Sequence, residues 1–236
     1  MRQLPDASVD VIISDPPYHT TQLGYDAAPR VDWHAWWCEA NRVVKPTGTI
    51  VLFADDLFTI DLILTNRKEY RYRLVWEKSR RTRFLDANRR PLKAHEDILV
   101  FQRKPKQTVY NPQKESRPDM AGRVKNTKAK RTSHYHACGA NTYVDSGLRH
   151  PGTVVRVGSG DNNGQIHPSQ KPVDLLRWLV RTYSNPGQIV LDTFAGSATT
   201  AVACLQEGRD FMCCERDEGY FQKAQARLQA LTLAAV

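Results

Sequence analysis

Residues 190–217 read VLDTFAGSATTAVACLQEGRDFMCCERD. Their order of residue types predicts a strand, a small-residue turn, a helix, a second strand and an acid. The first strand is QIVL (Gln188–Leu191), the helix runs Ser197–Glu207 and stops at Gly208, and the second strand is Asp210–Cys214. A turn that follows a strand of a parallel sheet lies at the carboxyl edge, where open α/β folds bind ligands. Upstream, Pro172–Tyr183 has helical spacing with Pro at its start, and Asn185–Pro186–Gly187 is a turn. Downstream, Asp217–Leu231 reads as a helix with Asp217 as its N-cap.

The other end of the chain repeats this alternation. Val9–Ser14 (VDVIIS) is a short β-branched run ending in DPPY. Trp33–Val44 predicts a helix capped by Asp32 and stopped by Pro46–Gly48. Thr49–Phe53 is a strand, Leu57–Thr65 a helix, and Tyr72–Trp76 and Asp97–Phe101 are strands. Strands and helices alternating at both ends predict a parallel α/β sheet covered on both faces. No internal repeat is apparent.

The middle is different. Lys78–Lys93 carries seven Lys/Arg against one acidic residue, and Arg103–Ser133 carries ten against two. Gly, Asn, Ser and His then dominate as far as Gln165, so this part reads as a basic, irregular insertion. The expected organisation is 1–102 and 166–236 as halves of one domain, with 103–165 inserted between them.

Composition narrows the function classes. The 236 residues hold 34 Lys/Arg and 25 Asp/Glu, a net charge of +9, which suits a polyanionic partner such as nucleic acid. No run approaches the apolar length of a membrane span, and MRQLPDASVD has no secretory apolar region. Five cysteines without a CxxC fit free thiols in a reducing compartment. HYHAC (His134–Cys138) lacks a fourth ligand at metal-site spacing, so no metal is expected. Trp33, Trp36 and Trp37 share a helix face and read as core or a dimer contact.

Two turns carry the chemistry. At Ala195–Ala198 small side chains let the backbone approach a ligand, the following helix offers free N–H groups, and Glu215 stands where an acid can bind ribose hydroxyls. The turn does not spell GxGxxG and no GxxxxGK[ST] occurs, so a nucleoside without phosphates fits better than NAD or ATP. At Ser14–Tyr18, Pro16 and Pro17 fix two φ angles and remove two N–H donors. That turn presents carbonyl acceptors, the Asp15 carboxylate and the flat Tyr18 ring, a set suited to an amino group attached to an aromatic ring.

DPPY, FAGSATT and the acid after the next strand together resemble the S-adenosylmethionine-dependent DNA amino-methyltransferases, which methylate N6 of adenine or N4 of cytosine. Asp15–Tyr18 matches the catalytic tetrapeptide, and Phe194–Gly196 the FxG cofactor signature. The order of blocks, with HPSQKP (His167–Pro172) just before the cofactor block, is similar to the permuted β group. FLDANRRPLKAHEDILVF (residues 84–101) looks like the stretch that precedes the recognition region in such enzymes. Thr193 and Ala198 depart from the usual DPFxGSGTT, and the family's strand ending in Gly-Asp before DPPY is either missing or lies upstream of Met1.

The resemblance implies a circularly permuted Rossmann-like methyltransferase fold with one antiparallel strand and a basic recognition insertion. It implies S-adenosyl-L-methionine as cofactor, held by Asp15, Ser169, Gln170, Lys171, Asp192, Thr193, Phe194, Ala195, Gly196, Ser197 and Glu215, with Lys171 near the methionine carboxylate. Asp15, Pro16, Pro17 and Tyr18 would be catalytic. Arg80, Arg81, Arg83, Lys128, Lys130 and Arg131 are the candidates for contact with double-stranded DNA. The implied reaction is N6-adenine methylation; N4-cytosine methylation and a non-catalytic nucleic-acid-binding protein with the same fold are the alternatives. A bacterial or phage-infected cytoplasm, a homodimer and a cognate restriction endonuclease go with that reading.

Overall fold

The computed structural model describes residues 1–19, 29–127, 130–132, 135–138, 140–158, 166–167 and 169–234, the side chains of 127, 130–132, 135–138 and 234 excepted. In chain order the elements are β1 (Val9–Ser14), α1 (Trp33–Val43), β2 (Val44–Ala54), α2 (Asp56–Thr65), β3 (Tyr70–Thr82) and β4 (Lys93–Gln102). Six short strands follow: β5 (Glu115–Ser116), β6 (Val124–Thr127), β7 (Lys130–Thr132), β8 (Tyr135–Cys138), β9 (Asn141–Val144) and β10 (Leu148–Arg149). The chain closes with β11 (Val154–Arg156), α3 (Val173–Tyr183), β12 (Ile189–Asp192), α4 (Thr199–Glu207), β13 (Asp210–Cys213) and α5 (Glu218–Ala234). No helix among the described residues is long and apolar enough to cross a membrane.

Seven strands form the main sheet in the order β11-β3-β4-β2-β1-β12-β13. Only β4 runs against its neighbours; the β11–β3, β2–β1, β1–β12 and β12–β13 pairs are all parallel. This is the mostly parallel sheet with one antiparallel strand that the motifs implied.

Side chains alternating along each strand feed two cores. Val11, Ile13, Val51, Phe53, Ile98 and Val100 face α3 and α4, meeting Leu175, Leu179, Tyr183 and Ala203. Ile12, Ile50, Leu52, Leu99 and Phe101 face the opposite way and meet Trp36, Trp37, Ala40 and Leu62 of α1 and α2. Burial on both faces is why these strands read as continuous apolar runs. Trp36 and Trp37 are 7% and 6% exposed, so the tryptophan cluster is core.

Two boundaries need correction. Asp32 caps α1 as expected, its Oδ1 accepting from the Ala35 N–H at 3.0 Å, but the helix ends at Val43 and β2 begins at Val44. Pro46–Gly48 therefore lies within the strand, at an irregular register against β1. The middle of the chain is also more regular than expected. Residues Pro112–Gly152 form a compact unit of their own, with antiparallel pairs β5–β10, β6–β9 and β7–β8. Asp145 organises part of this unit, bonding Lys125 at 2.7 Å and Arg149 at 2.8 Å. Met1–Asn111 and Thr153–Val236 make up the other unit.

Candidate active site

The chain leaves β1 towards β2 on one side and leaves β12 towards β13 on the other. The gap between β1 and β12 is thus a switch point, and both motif turns emerge there at the same sheet edge. The Thr193 N–H donates to Ser14 Oγ at 2.8 Å, and the two hydroxyls lie 3.2 Å apart. Trp36 Nε1 donates to Thr193 Oγ1 at 3.3 Å. A proline at position 193 would lack the N–H that makes the first of these bonds. The departure at Thr193 therefore stitches the two turns together.

Asp15 is the centre of a partly buried ionic chain. Tyr18 Oη donates to Asp15 Oδ1 at 2.8 Å, and Lys171 Nζ donates to Asp15 Oδ2 at 2.5 Å. Lys171 Nζ also lies 3.3 Å from Glu96 Oε2, and Lys78 pairs with Glu96 Oε1. The Lys171 ammonium sits over the Phe53 ring at 5.1 Å and the Tyr18 ring at 5.7 Å. Burial pushes the Asp15 pKa up, with Lys171 pulling against it and Glu96 adding to it. Burial alone would also discharge Lys171 and Glu96, but the charges beside them prevail: Lys171 is held above its ordinary value and Glu96 below.

The resemblance placed Lys171 near the methionine carboxylate and did not single out Glu96 or Lys78; here its ammonium is engaged by protein carboxylates. The structure gives Lys171 two carboxylates, Asp15 and Glu96. The available signal was a glutamate opening a buried apolar strand, KAHEDILVF (residues 93–101), where an unpaired carboxylate would be costly.

The turn after β12 is built to receive a ligand. Ala195 N–H donates to Cys214 O at 2.9 Å, and Cys214 N–H donates to Asp192 O at 2.8 Å, which ties the turn to the end of β13. Gly196 has φ 52°, and a β-carbon there would meet only the His167 ring, no closer than 3.7 Å. Glycine serves its left-handed backbone at this point. Ala198, also left-handed at φ 54°, carries the strain of being non-glycine, about 1 kcal/mol. Glu215 Oε2 accepts the Gly196 N–H at 2.7 Å, and Oε1 accepts from Arg216 at 2.9 Å and Asp217 at 2.8 Å. A carboxylate has about four acceptor sites, so room remains for a hydroxyl donor. Small residues, a free acceptor and the Phe194 ring together fit an adenosine-type ligand.

Asp192, 4% exposed, accepts from Thr200 Oγ1 at 2.6 Å and from the Phe194 N–H at 3.0 Å. Burial outweighs these bonds and raises its pKa to about 6. In the unfolded chain it ionises near 3.8. The unfolded state therefore loses this proton first, and folding stability falls as pH rises from about 4 to about 6. Urea unfolding of wild type and Asp192→Asn is expected to show wild type losing about 1 kcal/mol relative to the variant between pH 5 and pH 7.5. A pH-independent difference would refute the assignment.

Asp15–Tyr18, Ser169–Lys171, Asp192–Ser197 and Glu215 all line one cleft of about 1160 Å³. One small ligand fills roughly 300–1,000 Å³, so donor and acceptor have room together. Arg80 and Arg81 are exposed, whereas Arg83 bonds Asp56 at 2.5 Å and lies 3.9 Å from Asp55. Lys128 and the side chains of Lys130 and Arg131 lie outside the described residues, as does His134. Among the described residues no group of His, Cys, Asp or Glu could hold a metal ion, and Cys38, Cys204, Cys213 and Cys214 are free.

The N6/N4 family profile described as DNA methylase matches residues 9–226. Two curated relatives align over nearly the whole chain. "Type II methyltransferase M.HpaI" of Haemophilus parainfluenzae is 29% identical, over 98% of this chain and 71% of that protein. "DNA adenine methyltransferase YhdJ" of Escherichia coli K12 is 28% identical, over 97% and 79%. Among solved structures, the M1.HpyAVI-SAM complex superposes with a TM-score of 0.62 at 24% identity, over 96% of this chain and 90% of that one. At that identity the superposition speaks for the fold.

Proposed function

This chain belongs to the DNA methylase family, and from that premise we propose that it methylates the exocyclic N6 of adenine in double-stranded DNA. Its methyl donor is S-adenosyl-L-methionine. The observation that carries the proposal is the shared cleft: the Asp15 carboxylate and the Ala195–Ser197 turn open onto one cavity at the ends of adjacent parallel strands.

A base inside a duplex is out of reach, so the target must first be turned out of the stack. The Tyr18 ring offers it a face. Asp15 and the Pro16 carbonyl accept its two amino hydrogens, which favours a tetrahedral nitrogen whose lone pair is no longer shared with the ring. Lys171 and the Tyr18 hydroxyl hold the carboxylate in position for this. Asp15 is also the acceptor at hand for the proton that the amine sheds. Bound S-adenosylmethionine supplies an electrophilic sulfonium methyl group. Phe194 and the Ala195–Ser197 backbone orient the donor, Ser169 and Gln170 line its approach, and Glu215 takes a ribose hydroxyl. Orientation and polarisation are the main contributions asked of the protein.

The basic unit Pro112–Gly152, with Arg80 and Arg81, would supply phosphate and base contacts. The proposal extends to a cognate restriction endonuclease, on the type II name of the M.HpaI relative. It extends also to a homodimer, for which α2 exposes Leu57, Ile60 and Leu64.

The test is incubation with tritiated cofactor and unmethylated duplex DNA, digestion to nucleosides, identification of the modified base by mass, and sequencing to map its context. N6-methyladenine supports the proposal. N4-methylcytosine would reassign the base, and no incorporation would leave a DNA-binding protein without this activity.

A further inference from the structure

The connection between β3 and β4 ends in two of the most exposed large apolar side chains among the described residues. Phe84 is 74% exposed and Leu85 86%, side by side on a 3₁₀ turn at Phe84–Asp86. Single exposed apolar residues are ordinary, but an adjacent pair at a braced tip calls for a partner. Arg80, Arg81, Arg89 and Arg90 flank the pair in sequence and are all exposed.

The root of this tip is fixed. Arg83 enters the turn in a left-handed conformation, φ 66°, and bonds Asp56 at 2.5 Å. Lys93, on the opposite limb, pairs with Asp55 and lies 3.3 Å from Asp56 Oδ1. Arg90 pairs with Asp86 across the turn. Thr82, Arg83 and Lys93 line the same cleft as Asp15, and Phe84 and Leu85 follow Arg83 directly in the chain, next to the wall of the cavity proposed to take the base.

An aromatic and a branched aliphatic side chain, presented on a rigid turn among arginines, suit insertion between the base steps of a duplex. Turning a base out leaves a gap in the stack, and closing that gap with apolar atoms holds the base out. We propose that Phe84 and Leu85 form a wedge that occupies the space left by the extruded target, with the neighbouring arginines on the flanking phosphates. This rests on the proposed function, since it needs a duplex whose base enters the cleft.

The test uses the full chain and the duplex site mapped above. The double variant Phe84→Ser/Leu85→Ser alters exposed side chains only, and its cofactor affinity and melting temperature check that the fold is intact. Its methylation rate on the matched duplex is expected to fall about tenfold or more, as a lost stacking contact implies. Fluorescence of 2-aminopurine at the target position should fall with it. On the same duplex with the target opposite an abasic site, the deficit should shrink to about threefold or less, because the target is already unpaired and costs less to turn out. Phe84→Leu, which keeps an apolar tip, should retain most of the activity.

Wild type that methylates no DNA would remove the premise itself. Wild type that is active while the double variant stays within about twofold on the matched duplex would overturn the wedge alone. So would an equal loss on both duplexes, which marks a general affinity contact. A loss that tracks conversion of a dimer to a monomer, and is rescued at high protein concentration, would assign the tip to self-association and overturn it as well.

Discussion

Replacing Asp15 with alanine is expected to lower single-turnover methyl transfer at least about 10³-fold while leaving the protein folded. The variant removes the acceptor for the amino hydrogens, and nothing else in the cleft holds a carboxylate at that spot. Tyr18 loses its partner at 2.8 Å, so the ring that would stack on the base also loses its anchor. The ammonium of Lys171 keeps Glu96 at 3.3 Å, but Glu96 is shared with Lys78, so one positive charge is left in excess and the melting temperature is expected to fall without loss of the fold. Cofactor affinity should change far less than the rate. Transfer of tritiated methyl to DNA, with melting temperature alongside, reads both. Activity within about tenfold of wild type would mean that another group presents the base.

Lys171→Met has the second-largest expected effect, and acts on stability as well as rate. Methionine fills similar space but leaves Asp15 and Glu96 facing each other without the cation between them. Stripping one partner from a buried ion pair typically costs about 3–5 kcal/mol. Asp15, already raised by burial, would rise further, and Glu96 would lose the larger of the two charges that now hold it down. Raised carboxylates in the folded state mean that the variant loses stability as pH increases through its folded values, while methyl transfer, which needs Asp15 ionised, recovers as pH increases. The rate at pH 7 should fall about 10²-fold. Adding Glu96→Gln should restore part of the stability by removing the second charge, and part of the rate at neutral pH, because Glu96 also holds the Asp15 pKa up. In wild type, Lys171 is raised and Glu96 lowered, so their mutual support is lost only at strongly alkaline or strongly acidic pH. Urea titrations and pH–rate profiles of the three proteins decide; flat profiles for Lys171→Met would refute the account.

The strands that build the centre of the sheet were legible because both of their faces are covered. VDVIIS, TIVLF and DILVF are apolar at every position that matters, whichever face it meets. The two motif turns were legible for a related reason: each restricts its own backbone, through Pro16 and Pro17 or through small residues. What the sequence hid depends on register. Glu96 reaches Lys78 and Lys171 because β4 lies against β3 with Glu96 opposite Trp76, and no local pattern announces that pairing. β3 continues through EKSRRT to Thr82, polar residues of which Glu77 pairs with His95 and Thr82, beyond an irregular stretch, with Lys93. Val154–Arg156 is too short to carry a period, yet joins the sheet beside β3 after the intervening unit. Arg83 stood among the candidate DNA contacts of a basic run, and its tie to Asp56 depends on the fold of α2.

If the basic unit makes the DNA contacts proposed above, the anchoring of the points where it leaves and rejoins the main chain has a consequence for how target choice can change. Asn111 donates its backbone N–H to Thr182 O at 2.8 Å, and its side chain bonds Arg181 O, Ser184 O and Asn185 Oδ1 at 3.0–3.1 Å. Thr153 O accepts the Val75 N–H at 2.8 Å. Both splice points are thus clamped to the scaffold by bonds that owe nothing to the residues from Pro112 to Gly152. The scaffold behaves as a socket: a different cassette grafted between the same two clamps could acquire a new address on the genome while the methyl-transfer machinery stays as it is.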